Sequence, residues 1–400
     1  MSPTTIPGNL ILQSPTANDP LLDLNTQPSL DLQFATSKTL NDRVSGQNLI
    51  TFSRSTTGTY VDSNGIIQTA AIDAPRFDHD PTTGESLGLL IEESRTNEFP
   101  YSEDFTNSSW TNVNTSVTLN AATAPDNTLT ANRLQIGATN GVIYNNTVGG
   151  VTSNSTISVW VKAVSPGTND VFRLVSAGTL SADITATSQW VRYNLTSTSQ
   201  LSSLHGIVRP ADNTAADVYV WGAQFEENKT FPTSYIPTSG STVTRAADLA
   251  SITGTNFSSW YNQSEGTMFI RDKVNPSASY SMAWVLQNTT NLNDGSVSNY
   301  LYTPSGSWIL DSRNTGVNFD LSQSNVPGTF VKRAAGLKNG DLALALNGSI
   351  STSQTGTITA STSLLYIGQR PPFYFYNGHI ARLTYYPYRL PDATLQEITS

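Results

Sequence analysis

The sequence predicts an all-β protein: an N-terminal extended arm and small β region, then two β-sandwiches and a short C-terminal helix. Three observations carry that expectation. Apolar and polar residues alternate at strand period, as in Ile157, Val159 and Val161 against Ser158, Trp160 and Lys162. Asn-Gly pairs at 64–65, 347–348 and 377–378 supply turns. No long stretch repeats apolar residues at helical spacing.

Residues 1–30 are rich in Pro, Thr, Asn and Ser without periodicity, and read as an arm or tether, or else a loose terminus. Residues 31–95 read as a small β-rich region. Its strands are expected at Asn48–Phe52 and Gly58–Val61, the latter turning at Asn64-Gly65 into Ile66-Ile67. Residues 96–240 read as the first sandwich. Val191, Tyr193 and Leu195 alternate with Arg192, Asn194 and Thr196. Residues 217–226 are apolar on both faces and then carry Gln224 and Glu226 on one, as suits a central strand. Residues 232–244 have linker composition around one aromatic anchor, Tyr235. Residues 241–400 read as the second sandwich, opening at Thr267–Ile270 and containing the hairpin 341–350. It closes on the alternating strand 379–386 and a helix begun by Pro391, with Leu395 and Ile398 covering the sheet.

Charged residues make up 13% of the 400, about half the usual share, and Ser, Thr and Asn replace them. The net charge is −9 and no Lys/Arg run exists, which argues against nucleic-acid and anionic-membrane partners. No cysteine is present, so disulfides, thiolate metal sites and thiol catalysis are excluded. Residues 1–20 lack the charge and the apolar run of a secretory signal, and no stretch is apolar enough to span a membrane. The expected setting is a particle assembled in a host cytoplasm and acting extracellularly after lysis.

Three stretches together resemble tail-fibre or adhesin-type virion proteins of tailed bacteriophages, including those of cyanobacteria. They are Thr51–Tyr60 with Pro75–Asp78 and Gly88–Asn97, then Trp221–Asp248, then the closing cassette Leu364–Ser400. The match covers roughly residues 45–400. Between the first two stretches the chain is similar to a carbohydrate-binding-module jelly roll, through Tyr101–Phe105, Trp110 and Ala131–Leu134. The closing cassette resembles the end of a concanavalin A/laminin-G-like jelly roll. The resemblance implies a structural protein that binds a host-surface glycan, docks to other virion proteins through its N-terminal region and forms a homotrimer. It implies no catalysis. A capsid decoration or head-fibre protein is the alternative, and a polysaccharide-degrading enzyme a further one. Jelly rolls of the first kind often carry an acidic calcium ligand on the last strand, where this chain has Gln224 and Phe225.

Catalytic constellations are missing. Glucan hydrolases need two carboxylates on one strand, whereas Glu92-Glu93 and Glu226-Glu227 are adjacent and point to opposite faces. They read as solvated or junction carboxylates. His79, His205 and His379 are far apart in sequence, and His379 reads as structural. No G-x-S-x-G, P-loop, HExxH or EF-hand pattern occurs. No catalytic or metal residue is therefore assigned, and no cofactor. Asp294, Asp311, Asp320 and Asp341 suit turns, with a structural calcium ion as the other use of such residues.

Aromatic rings are the remaining signal, since sugars dock on exposed rings flanked by amides and carboxylates. The glycan or interface candidates are Phe373, Tyr374, Tyr376, Trp110, Tyr144 and Trp308. Trp160, Trp190 and Trp260 also come into consideration, but Trp160, Trp190 and Trp221 are expected in the core. The run Phe373–Tyr376 follows Pro371-Pro372, so a loop or edge must expose part of it, to a sugar or to a subunit.

Overall fold

The computed structural model describes residues 27–149, 154–198, 203–275, 280–288, 296–302, 304–314, 317–324, 328–353, 356–358, 361–371 and 374–400. It is all-β with every named strand pair antiparallel, and two stacked pairs of large sheets each enclose a core. The arm expected over residues 1–30 lies outside the described residues except for its end, Gln27 to Leu30.

The first sandwich stacks a five-stranded sheet, in the order 191–197, 155–163, 216–227, 131–136 and 115–122, on a sheet built around 171–176, 205–208 and 142–145. Ile157, Val159 and Val161 point into its core, as their alternation predicts. The strand Ala216–Glu227 is central, and its pattern now has a cause. Val218 and Val220 face the core before Gly222, but Ala223 and Phe225 face it afterwards. The parity changes because Gly222 and Ala223 together oppose Val159, a β-bulge with Gly222 at φ +64°. The bulge leaves Gln224 and Glu226 on the outer side with Trp221. Gly206 makes a different demand: a Cβ there would sit 2.0 Å from the Ile143 carbonyl of the neighbouring strand, so only glycine fits.

In the second sandwich, one sheet runs 349–353, 342–346, 331–338, 265–274, 378–386, 86–91, 77–79, and the other 51–53, 249–253, 364–367, 280–287, 296–302, 307–314, 317–324. The strand Gly378–Tyr386 passes through the sheet interior as expected. The helix Asp392–Thr399 covers the outer face of that sheet with Leu395 and Ile398, and Pro391 sits at its N-cap, one position before the first turn.

The segment read as a region of its own, 31–95, is largely built into this second sandwich. Leu30–Leu32 pairs with 383–385, Phe77–His79 and Ser86–Ile91 extend the same sheet, and Thr51–Ser53 edges the other. The expected strand over 48–52 is shifted to 51–53. Only the hairpin Gly58–Val61/Ile67–Ala70 stands apart. It packs Ile67 and Val61 against Trp221, Tyr235, Trp160 and Trp190 on the outer face of the first sandwich. Residues 232–244 are packed rather than loose: Tyr235 and Ile236 are buried, and Val243–Arg245 pairs with Arg95–Asn97.

Candidate functional site

The structure removes three of the six aromatic candidates from the surface. Trp110 is buried between Phe99 and Phe105, with its indole N–H donating to the Tyr101 carbonyl at 2.9 Å. Trp308 is buried between the sheets of the second sandwich with Arg333 against its ring. Tyr376, at 0% exposure, belongs to the same core. Their apolar area is used in folding, so they offer no ring to a sugar. Tyr144 is half-buried on the edge-side strand Val142–Asn145. Phe373 lies outside the described residues. Tyr374 is half-buried and packs edge-on to Tyr280 at 5.1 Å, in a cluster with Tyr300, Tyr302 and Tyr366 on the outer face of the seven-stranded sheet.

Two of the three stretches that carried the resemblance, 51–97 and 221–248, meet in one buried ion cluster. Asp248 accepts from Arg54 at 3.0 Å, from Arg76 at 2.5 Å and from the Glu92 amide at 2.9 Å. Glu92 lies 2.9 Å from Arg76 and 3.4 Å from Arg245, and accepts from the Ser234 amide and hydroxyl at 2.8 and 2.6 Å. Arg54 also donates to the carbonyls of Thr56, Ala71 and Ala74. Beside it Glu93 takes Arg95 and Lys229, while Glu226 takes Thr233 and Arg95. Glu92 and Glu93 lie just past the strand Ser86–Ile91 rather than within one, and Glu92, Glu93 and Glu226 serve the junction of the two sandwiches.

Burial opposes ionisation of Glu92, but the guanidinium groups of Arg245 and Arg76 outweigh it and hold the carboxyl well below its ordinary value of 4.5. A depressed carboxyl stabilises the fold fully above its unfolded value and loses that contribution as the pH falls through its folded value. His205, lowered to about 4 by burial, acts in the same direction below its ordinary value of 6.5. Melting temperature is therefore expected to fall progressively in acid, most steeply below about pH 4.5. A Glu92→Gln variant, already weakened at neutral pH, should show a shallower decline in the same melts. An identical slope would show that Glu92 is not the group being titrated.

Above this cluster lies a groove of about 660 Å³ where three parts of the chain meet. Its first wall is the outer face of the first sandwich, with Trp160, Gln189, Trp190 and Arg192. The hairpin contributes Tyr60 and the Asn64-Gly65 turn, and the rim of the second sandwich contributes Asn275, Asp78 and His379. Glu92, Thr233, Ser234 and Tyr235 form the floor. Trp160 and Trp190, expected in the core, are instead half-buried walls of this groove. The bulge at Gly222 explains Trp160, because a Cβ there would come within 3.0 Å of its ring. Arg192 stacks over Trp160, 4.3 Å from the ring centre, and donates to the Thr233 carbonyl at 2.5 Å and Ser158 Oγ at 2.9 Å. Burial lowers Arg192 to about 10, so it stays a cation at neutral pH. Trp190 is pinned by its indole N–H to the Thr123 carbonyl at 3.0 Å. His379 is hydrogen-bonded to Asp78 at 2.8 Å, whose other oxygen accepts the Val61 amide at 2.6 Å.

Half-exposed rings, amides and a carboxylate around a concave space form a surface on which a sugar ring can stack and hydrogen-bond. Reading each sandwich by itself could not find this site, because its walls belong to segments far apart in sequence. Among the described residues, no three His, Cys, Asp or Glu side chains converge as metal ligands. Asp311 is buried and Asp341 pairs with Arg389, while Asp294 lies outside the described residues and the Asp320 side chain is likewise not described. No helix among the described residues is long and apolar enough to cross a membrane.

No family model and no curated protein matches this chain. Among solved structures it is similar to Ruminococcus gnavus IT-sialidase CBM40 bound to alpha2,3 sialyllactose, with 20% identity and a TM-score of 0.32 over 35% of this chain and 84% of that one. The NanB sialidase of Streptococcus pneumoniae matches at 15% identity and TM-score 0.31, over 37% of this chain and 26% of that one. A heptameric SAP-like pentraxin from Limulus polyphemus matches at 17% and 0.28, over 34% and 70%. Likenesses this weak carry no conclusion about function, which rests on the chain's own residues.

Proposed function

We propose that this chain is a non-enzymatic structural protein of a bacteriophage virion, of tail-fibre or adhesin type, and that its junction groove holds a host-surface glycan. The observation that carries the reading is the groove itself: Trp190 and Tyr60 offer half-exposed rings, and Asn64, Gln189, Asn275 and Asp78 offer hydrogen-bonding partners around them. The groove's carboxylates favour binding over hydrolysis. A glycosidase needs a carboxylic acid kept protonated beside a second carboxylate. Glu92 is held ionised by Arg245 and Arg76, and Asp78 is engaged by His379. Glu103, which burial pushes up, bonds the Tyr235 hydroxyl at 2.8 Å and does not line the groove. A single shallow sugar site binds weakly, and the trimer implied by the sequence resemblance would strengthen it through multivalency.

An array of bacterial surface polysaccharides tests the site. Wild-type protein should be retained by at least one of them, and Trp190→Ala should lose on the order of tenfold in affinity. Antibodies to the chain should label fibres on the outside of the particle. Labelling confined to the capsid interior, with no retention on the array, would overturn the proposal.

A further inference from the structure

The charges that face the groove are already matched. Asp78 is held by His379 and the Val61 amide. Glu92 is held by Arg76 and Arg245, and Ser234 adds two hydrogen bonds. Arg192 is the one permanent cation among the described lining residues, and it is stacked on Trp160 and tied to Thr233 and Ser158. Its Nε is closed off from solvent. With Glu92 set against Arg76 and Arg245 beneath it, the groove keeps one carboxylate, Asp78, and one guanidinium, Arg192, and no free cation. The cation in excess within the buried cluster, Arg54, does not line the groove. It is satisfied by Asp248 and three backbone carbonyls.

An acidic sugar would bring its carboxylate or sulfate close to Asp78 and lose water without gaining a free cation. A neutral sugar meets no such cost. Its C–H face can lie on Trp190, and its hydroxyls can donate to Asp78 and exchange hydrogen bonds with the amides of Asn64, Gln189 and Asn275. We infer that the groove binds uncharged glycans, neutral pyranose chains, and rejects acidic ones. This inference rests on the reading of the groove as a glycan site.

Isothermal titration of the full chain with two sets of short oligosaccharides tests it. The neutral set comprises cello-, malto-, xylo- and galacto-oligosaccharides, and the acidic set comprises sialyllactose, polygalacturonate and heparin fragments. Binding should be confined to the neutral set. Its affinity should hold between about 10 mM and about 1 M salt, across which the Debye length shrinks from roughly 30 to 3 Å. Gln189→Lys, a change at an exposed position, should raise acidic-sugar affinity on the order of tenfold. Tighter binding of an acidic sugar by the wild type, weakening with salt, would overturn the inference and leave the glycan site standing. Failure of every sugar to bind would overturn both. So would unchanged binding by Trp190→Ala and by the double variant Asn64→Ala/Gln189→Ala, whose positions are exposed and whose folding is not in question.

Discussion

Asp248→Ala is expected to cost about 3–5 kcal/mol. Its side chain has no exposed surface and meets Arg54, Arg76 and Arg245 within 3.8 Å while accepting the Glu92 amide. Without it, Glu92 alone would face three buried guanidinium groups. Each of those has lost most of its hydration, and none can move to water without unpacking the hairpin 58–70 or the segment 232–245. Asp248→Asn keeps the shape but removes the charge, so it too should be strongly destabilised. Asp341→Ala is the control: this half-exposed partner of Arg389 sits at the surface, and its loss should change stability by no more than about 0.5 kcal/mol. Urea unfolding followed by tryptophan fluorescence reads all three. An Asp248→Ala protein within about 1 kcal/mol of wild type would show that the cluster does not hold the sandwiches together.

The second large effect lies in the core of the second sandwich. Asp272 and Arg333 form an ion pair between its sheets, with Asn299 also accepting from Arg333. Burial pushes the Asp272 carboxyl up, and Arg333 pulls it back. Asp272→Ala should cost about 3–5 kcal/mol because it strands a buried cation against Trp308. The double variant Asp272→Leu/Arg333→Met should recover most of that loss, since desolvating an ion pair consumes most of what its attraction returns. The midpoints of the single and double variants in the same urea series decide the matter. A double variant as weak as the single one would mean that the pair itself, and not its separation, sets the stability of this core.

The two predictions concern residues whose types were plain in the sequence but whose partners were not. Ile157, Val159 and Val161 declared their strand because side-chain direction alternates with each residue. The 217–226 pattern even contained the parity change of the bulge. The hairpin at 64–65, the strand 379–386 and the last helix were legible for the same reason: each is specified by residues within a few positions of one another. Arg54, Arg76, Glu92, Arg245 and Asp248 stood out only as motifs. Their meeting requires contacts across 156 to 194 residues, and no local period encodes which distant carboxylate a guanidinium will find.

The ring candidates show the same boundary. A tryptophan on a strand faces the core or the outer side according to parity, and one bulge or one covering hairpin reverses what that means. Trp110 and Trp308 were turned inward, while Trp160 and Trp190 were turned out onto a groove whose other wall comes from the hairpin and the second sandwich. By itself, then, the sequence determined the all-β class, the alternation of most strands and the absence of local catalytic motifs. Tertiary structure decided that residues 31–95 complete the second sandwich, that the motif charges neutralise one another at the junction and that the concave surface lies between the sandwiches. The reason is range: hydrogen bonding within hairpins and side-chain alternation act over a few residues, whereas burial, ion pairing and the shape of a groove depend on which distant surfaces pack together.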